Sequence, residues 1–130
     1  MYQTVTDSIR VTVVPSFLEN QSEPDNLKFV WAYTIGVENL GPETVTLLTR
    51  HWVITDGLGR RQDVRGDGVV GEQPTLRPGQ RFEYTSGCPL TTPSGLMVGS
   101  YGMITSMGRQ FDVAIPAFSL DSPHDKHSLN

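Results

Sequence analysis

A chain of 130 residues with 37% hydrophobic residues is long enough for one domain with its own core, needing no metal or disulfide staple. Its net charge of −4 speaks against a nucleic-acid binder, which carries a concentrated basic face. The single cysteine, Cys88, excludes an intrachain disulfide and a multi-cysteine zinc site, and no apolar run approaches the roughly 20 residues that span a bilayer. The N-terminal MYQTVTDSIRV lacks a basic segment followed by an apolar one, so a cytoplasmic protein without membrane insertion is expected.

Ile9, Val11 and Val13 alternate with Arg10 and Thr12, the period of a half-buried strand that Pro15 ends. ENQSEPDN is a polar connection. KFVWAYTIGVEN then places Phe29, Trp31, Tyr33, Ile35 and Val37 on one face, and that odd-numbered face is expected in the core. After the LGPE turn, TVTLLTRHWVITD reads as a second long strand. In it Leu48, Arg50, Trp52 and Ile54 share one face, and Leu47, His51 and Val53 the other. DGLG is a hairpin signal in which Asp-Gly supplies positive φ, and RRQDV is the short return strand. LRPGQRFEYTSG contains a Pro-Gly turn followed by a strand bearing Phe82 and Tyr84, and CPLTTPSG is irregular. LMVGSYGMITSMGRQFDVAIPAF closes the series as a hairpin turning at SMGR.

No apolar i, i+3, i+4, i+7 pattern persists for a helix. About seven turn-punctuated strands predict an all-β fold, an immunoglobulin-like or fibronectin type III-like antiparallel sandwich over residues 1–120. LRPGQRFEY fits the corner of such a domain, with Tyr84 bonding back to the turn backbone. DSPHDKHSLN, residues 121–130, is polar and is expected to fray.

One motif invites a nucleotide. GDGVVG, Gly66 to Gly71, has the G-x-G-x-x-G spacing of dinucleotide-binding turns. That mechanism needs a helix beginning in the motif, and Pro74 and Pro78 forbid one here. Turn glycines needing positive φ explain the string without a ligand. A second reading makes the loop an anion nest of backbone N–H groups, with Arg65, Gly66, Gly68 and Gly71 as the binding residues and Arg60, Arg61 and Arg50 close by. Asp67 and Glu72 oppose it by adding negative charge.

Other reactive residues lack partners in sequence. His51 reads as a packed or hydrogen-bonded strand residue. His124 and His127, beside Asp121 and Asp125, form at most a weak ion site in a polar tail, so no metal site is assigned. The hydroxyls of YTSGCPLTTPSG have no G-x-S-x-G elbow, and no motif activates Cys88. No catalytic residue and no cofactor is therefore assigned.

TRHWVITD, VRGDGVVGEQPTLRPGQRFEYTSGCPL and TPSGLMVGSYGM, with VWAYTIGVENLGPETVTLL and FDVAIPAFSL, strongly resemble the bacterial ApaG family from about Ile9 to Leu120. The resemblance implies the same β-sandwich. It also implies an association with cobalt resistance and magnesium efflux, without an established molecular activity. Related domains in eukaryotic F-box proteins and a polymerase delta-interacting protein look like interaction modules. The expectation is thus a non-enzymatic interaction module with an unidentified protein partner, a homodimer being one option. The alternative is an anion, pyrophosphate or nucleotide binder at Arg65 and the glycine loop.

Overall fold

In the computed structural model, which describes residues 1–125, the chain forms nine strands: β1 (Tyr2–Thr6), β2 (Ile9–Phe17), β3 (Phe29–Asn39), β4 (Val45–Asp56), β5 (Arg61–Asp67), β6 (Thr75–Leu76), β7 (Arg81–Leu90), β8 (Gly95–Thr105) and β9 (Gln110–Leu120). They pair antiparallel into two sheets, β1-β2-β3-β7 and β5-β4-β8-β9, with β6 added beside β4. This is the expected antiparallel sandwich, with β1 and β6 joining the seven strands read from the sequence. Between β2 and β3 lie two single 3₁₀ turns, and no helix among the described residues is long and apolar enough to cross a membrane.

Strand β1 is unmarked in sequence because its hairpin turn is Asp7-Ser8, without glycine. Both residues adopt positive φ (47° and 65°), the geometry that twists two strands into register. The DGLG turn also differs from expectation. Gly59, at φ 81°, takes the left-handed position in place of Gly57, while Asp56 Oδ1 accepts from the Leu58 and Arg60 amides. The side chain, more than the Asp-Gly pair, organises that turn.

The core follows the odd face of β3. Phe29, Trp31, Tyr33, Ile35 and Val37 are all buried, as the alternation predicts. Strand β4 departs from its expected alternation. A β-bulge between Leu47 and Thr49 makes Leu48 the extra residue, so Val45 and Leu47 face inward before it and Trp52 and Ile54 after it. Leu48 thereby loses the inward place its parity gave it.

Tyr84 is buried on β7, yet its hydroxyl reaches across to the Tyr101 hydroxyl on β8 instead of back to the Pro-Gly turn. The turn is held by Gly79 (φ 86°), whose N–H donates to the Asn39 carbonyl at 2.7 Å. The tyrosine links the two sheets, and the corner does without it.

The fraying expected from Asp121 is revised for residues 121–125. Trp31 Nε1 donates to the Asp121 carbonyl at 2.7 Å, buried Ser122 donates to the Pro93 carbonyl at 2.6 Å, and the His124 ring packs 5.7 Å from Phe17. Residues 126–130, including His127, lie outside the described residues. Truncation after Leu120 strips an indole N–H of its acceptor. Leaving a buried donor unpaired costs about 1–3 kcal/mol, so thermal unfolding should shift down by about 4 °C or more. An unchanged melting temperature would contradict the anchoring.

Candidate functional site

The three glycines of GDGVVG serve three different steric needs. Gly71 (φ 82°) and Val70 (φ 43°) form the tip of a tight turn closed by Val69 and Glu72, whose amides and carbonyls exchange bonds of 2.8 and 2.9 Å. Gly68 (φ 62°) lies so close to the Glu72 carbonyl that a Cβ would come within 2.2 Å of its oxygen. Its N–H donates at 2.7 Å to the carbonyl of Leu48, the bulge residue of β4. The loop therefore clips onto the bulge, and buried Val69 plugs the core beneath it. Gly66 has neither positive φ nor a turn. The place of its missing side chain is taken by the Arg50 guanidinium, and a Cβ there would lie only 2.8 Å from both terminal nitrogens.

That contact draws attention to Arg50. Beyond the bulge, Arg50 has the same parity as Trp52 and Ile54, opposite Gly66 on β5. Its Nη1 donates to the carbonyls of Asp67 and Gly68, each at 3.0 Å. Among the described residues no carboxylate lies within ion-pair distance of this half-buried guanidinium, and its Nε and Nη2 have no protein acceptor.

Arg50 borders a groove of about 280 Å³ on the open side of the sandwich, between Gln62 and Val64 of β5 and Ser86 to Pro89 of β7. β5 and β7 are the terminal strands of their sheets, so this side has no covering strand. The opposite side is closed by bonds such as Tyr2 Oη with Ser119 Oγ at 3.0 Å between β1 and β9. The groove floor is aromatic. Tyr33 and Trp52 meet edge to face with centroids 5.4 Å apart, and Met97 and Cys88 extend the apolar surface.

The titratable groups here are held in their protonated forms. Burial raises the Tyr33 hydroxyl, with the neighbouring Ser86 hydroxyl partly opposing it. Burial likewise raises Tyr84 and Tyr101, and the Arg50 charge weakly counteracts it in all three. Burial alone pushes the Cys88 thiol from 9.0 up to about 11. At neutral pH the tyrosine hydroxyls and the Cys88 thiol in and beneath the groove are thus uncharged, and Arg50 carries its charge.

These shifts give a sign for alkaline stability. The folded chain holds the Cys88 proton more tightly than the unfolded chain, so its contribution is complete below pH 9 and declines as pH rises toward about 11. Native protein at pH 8 should resist thiol reagents that label the urea-unfolded chain at once. Rapid native labelling would contradict the burial.

The residues picked from sequence come together only in part: Arg65 and Gly66 border one hollow, while Gly68 and Gly71 sit in the turn beyond it. Arg65 alternates with Gly66 and so lies on the outer face of its sheet, pairing with His51 in register. It borders an outer hollow of about 480 Å³ that Arg50 and Gly66 also touch, together with Asp67, Asp112 and Ser100. In the loop, the amides of Gly68, Val69 and Glu72 are already bonded to protein carbonyls. His51 Nε2 sits 3.0 Å from Asp63 Oδ2, and hydrogen bonds from Arg61 and His51 hold that carboxyl well below the usual range. His124 pairs with Glu19 at 3.2 Å, and no cluster of three metal-ligating side chains occurs among the described residues. In sequence Arg50 stands out only as a neighbour of the loop. The strand alternation already places it on the face of Trp52 and Ile54, and what no residue pattern announces is the register that sets it opposite Gly66.

Comparison with known proteins agrees with this architecture. Residues 19–105 match the ApaG domain family. The chain is 65% identical over 130 residues to Protein ApaG of Rhodospirillum centenum and 61% identical to that of Paramagnetospirillum magneticum, covering all of each chain. A crystallographically determined Bordetella pertussis protein superposes with a TM-score of 0.87 at 47% identity, over 90% of this chain and 95% of that one. A second solved structure gives 0.86 at 45% identity, over 93% and 92%. With a family match over most of its length and relatives alike from end to end, the chain belongs to the ApaG family.

Proposed function

We propose that this protein is a non-catalytic binding module whose contact site is the groove between β5 and β7. The supporting observation is a guanidinium in that groove with no carboxylate beside it. Arg50 has no carboxylate partner among the described residues, and Tyr33 and Cys88 keep their protons at neutral pH. Such a surface offers a positive charge to a partner's acceptors, with no ionised carboxylate or imidazole in its lining to activate a nucleophile. The unpaired edges of β5 and β7 add backbone donors and acceptors that an extended partner segment can use. The cobalt and magnesium association implied by the family resemblance then acts through the bound partner, in a cytoplasmic setting, without ion capture by this chain.

Affinity capture tests the proposal. The wild-type chain is expected to retain a specific partner from the native cytoplasm, and Arg50→Gln, folded by circular dichroism, to retain at least tenfold less. Equal capture by both forms would place the contact elsewhere. The alternative, an anion or pyrophosphate site at Arg65 and Gly66 to Gly71, finds support in the two positive-φ glycines and the tip amides of Val70 and Gly71. Asp67 and Asp112 beside Arg65 weigh against it.

A further inference from the structure

We propose that the Arg50 groove is a carboxylate-recognition site, taking a monoanionic carboxyl group on an aromatic or apolar body. The inference rests on the binding-module reading and gives it a ligand chemistry. Its starting point is an imbalance: a half-buried guanidinium costs desolvation energy, and a neighbouring carboxylate ordinarily offsets it. For Arg50 the described residues supply two backbone carbonyls, both to Nη1. The Nε–Nη2 edge stays open, and two parallel N–H groups on that edge match both oxygens of a carboxylate.

The rest of the groove matches the body of such a ligand. Its aromatic and sulfur-bearing floor of Tyr33, Trp52, Met97 and Cys88 favours an apolar group. A volume of about 280 Å³ holds a single ring with a short acid chain, or one terminal residue of a peptide. The charge count separates carboxylate from phosphate. Arg50 is the one cationic residue bordering the groove among those described, and Arg65 lies on the opposite face of its sheet. A single guanidinium balances one negative charge and leaves a phosphate dianion under-compensated.

Gly66 has a defined part in this site. Because the guanidinium fills the space of its absent side chain, Gly66 sets where Arg50 rests, and the Asp67 and Gly68 carbonyls fix its orientation. The first glycine of the string thus positions an arginine.

The test is a titration of the full chain, followed by amide and indole NMR shifts, with three probes: 3-phenylpropionate, its neutral amide and inorganic phosphate. The expected result is saturable binding of the acid, with shifts at the Trp52 indole and at Ser86 to Cys88, at least tenfold tighter than the amide and than phosphate. Arg50→Gln should reduce the acid-to-amide ratio to about one, and Gly66→Ala should lower it severalfold with the fold retained. If Arg50→Gln fails to fold, Arg50→Lys serves, since loss of the planar fork should also reduce the ratio. Gly-Gly-Phe with a free or an amidated C-terminus tells a polypeptide terminus from a free acid. Tighter binding of the free-terminus peptide than of 3-phenylpropionate supports the former, and weaker binding the latter. Equal binding of acid and amide in the groove would overturn the carboxylate assignment while leaving the groove a binding site. Shifts confined to the Arg65 face would overturn both.

Discussion

Replacing Ile35 with alanine is expected to destabilise the domain by about 2–5 kcal/mol, the range for a large aliphatic side chain removed from a packed core. Ile35 is fully buried at the middle of β3, with Val13 of β2 on one side and Tyr84 of β7 on the other. Two neighbouring strands fix its surroundings, so the site has little room to collapse and a cavity remains. Urea unfolding should show the loss as a lower midpoint with an unchanged slope. Val14→Ala is the matched control, because Val14 is 49% exposed on the outer face and should change stability by about 0.5 kcal/mol or less. Similar effects at both positions would mean that the period-2 reading of this sheet is wrong.

Gly68→Ala is expected to cost on the order of 3 kcal/mol, and Gly66→Ala about 1 kcal/mol or less, although both glycines belong to one motif. At Gly68 two penalties combine. The residue sits at φ 62°, and a Cβ would meet the Glu72 carbonyl oxygen at 2.2 Å, a rigid backbone neighbour. Relief requires moving the loop off the Leu48 carbonyl, which also endangers the Val69 plug. At Gly66 the obstacle is the far end of a flexible side chain, and Arg50 can swing aside. Gly71→Ala falls between them, near 1 kcal/mol, since its φ of 82° is strained but nothing lies within 4 Å of the new methyl. Chemical denaturation of the three variants gives the order directly. A Gly66 variant as unstable as the Gly68 variant would mean that Arg50 is locked in place.

Much of the fold was legible because burial follows a period of two. The odd face of β3 and the hairpin at SMGR could be read residue by residue, and Gly108 takes the left-handed turn position there at φ 89°. What escaped were features set by tertiary contact. The Leu47–Thr49 bulge changes which residues of β4 face inward, yet TLLTR carries no glycine or proline to mark it. The Asp7-Ser8 turn hid β1 for the same reason. The anchoring of Asp121 and Ser122 depends on Trp31 and Pro93, distant in sequence, so a polar stretch looked free. The site was hidden by the register between β4 and β5. Arg50 and Arg65 are both near the glycine string in sequence, and only the strand register puts them on opposite faces of one sheet.

We infer that the glycine string seats Arg50 through Gly66 and is no phosphate cradle. Titrating sodium pyrophosphate into the wild-type chain while following the amides of Gly66 to Glu72 tests it most directly. Because the Gly68, Val69 and Glu72 amides already donate to protein carbonyls, no saturable shift in them is expected below millimolar pyrophosphate. A saturable response with a dissociation constant in the low micromolar range, abolished by Arg65→Ala in a folded protein, would contradict it.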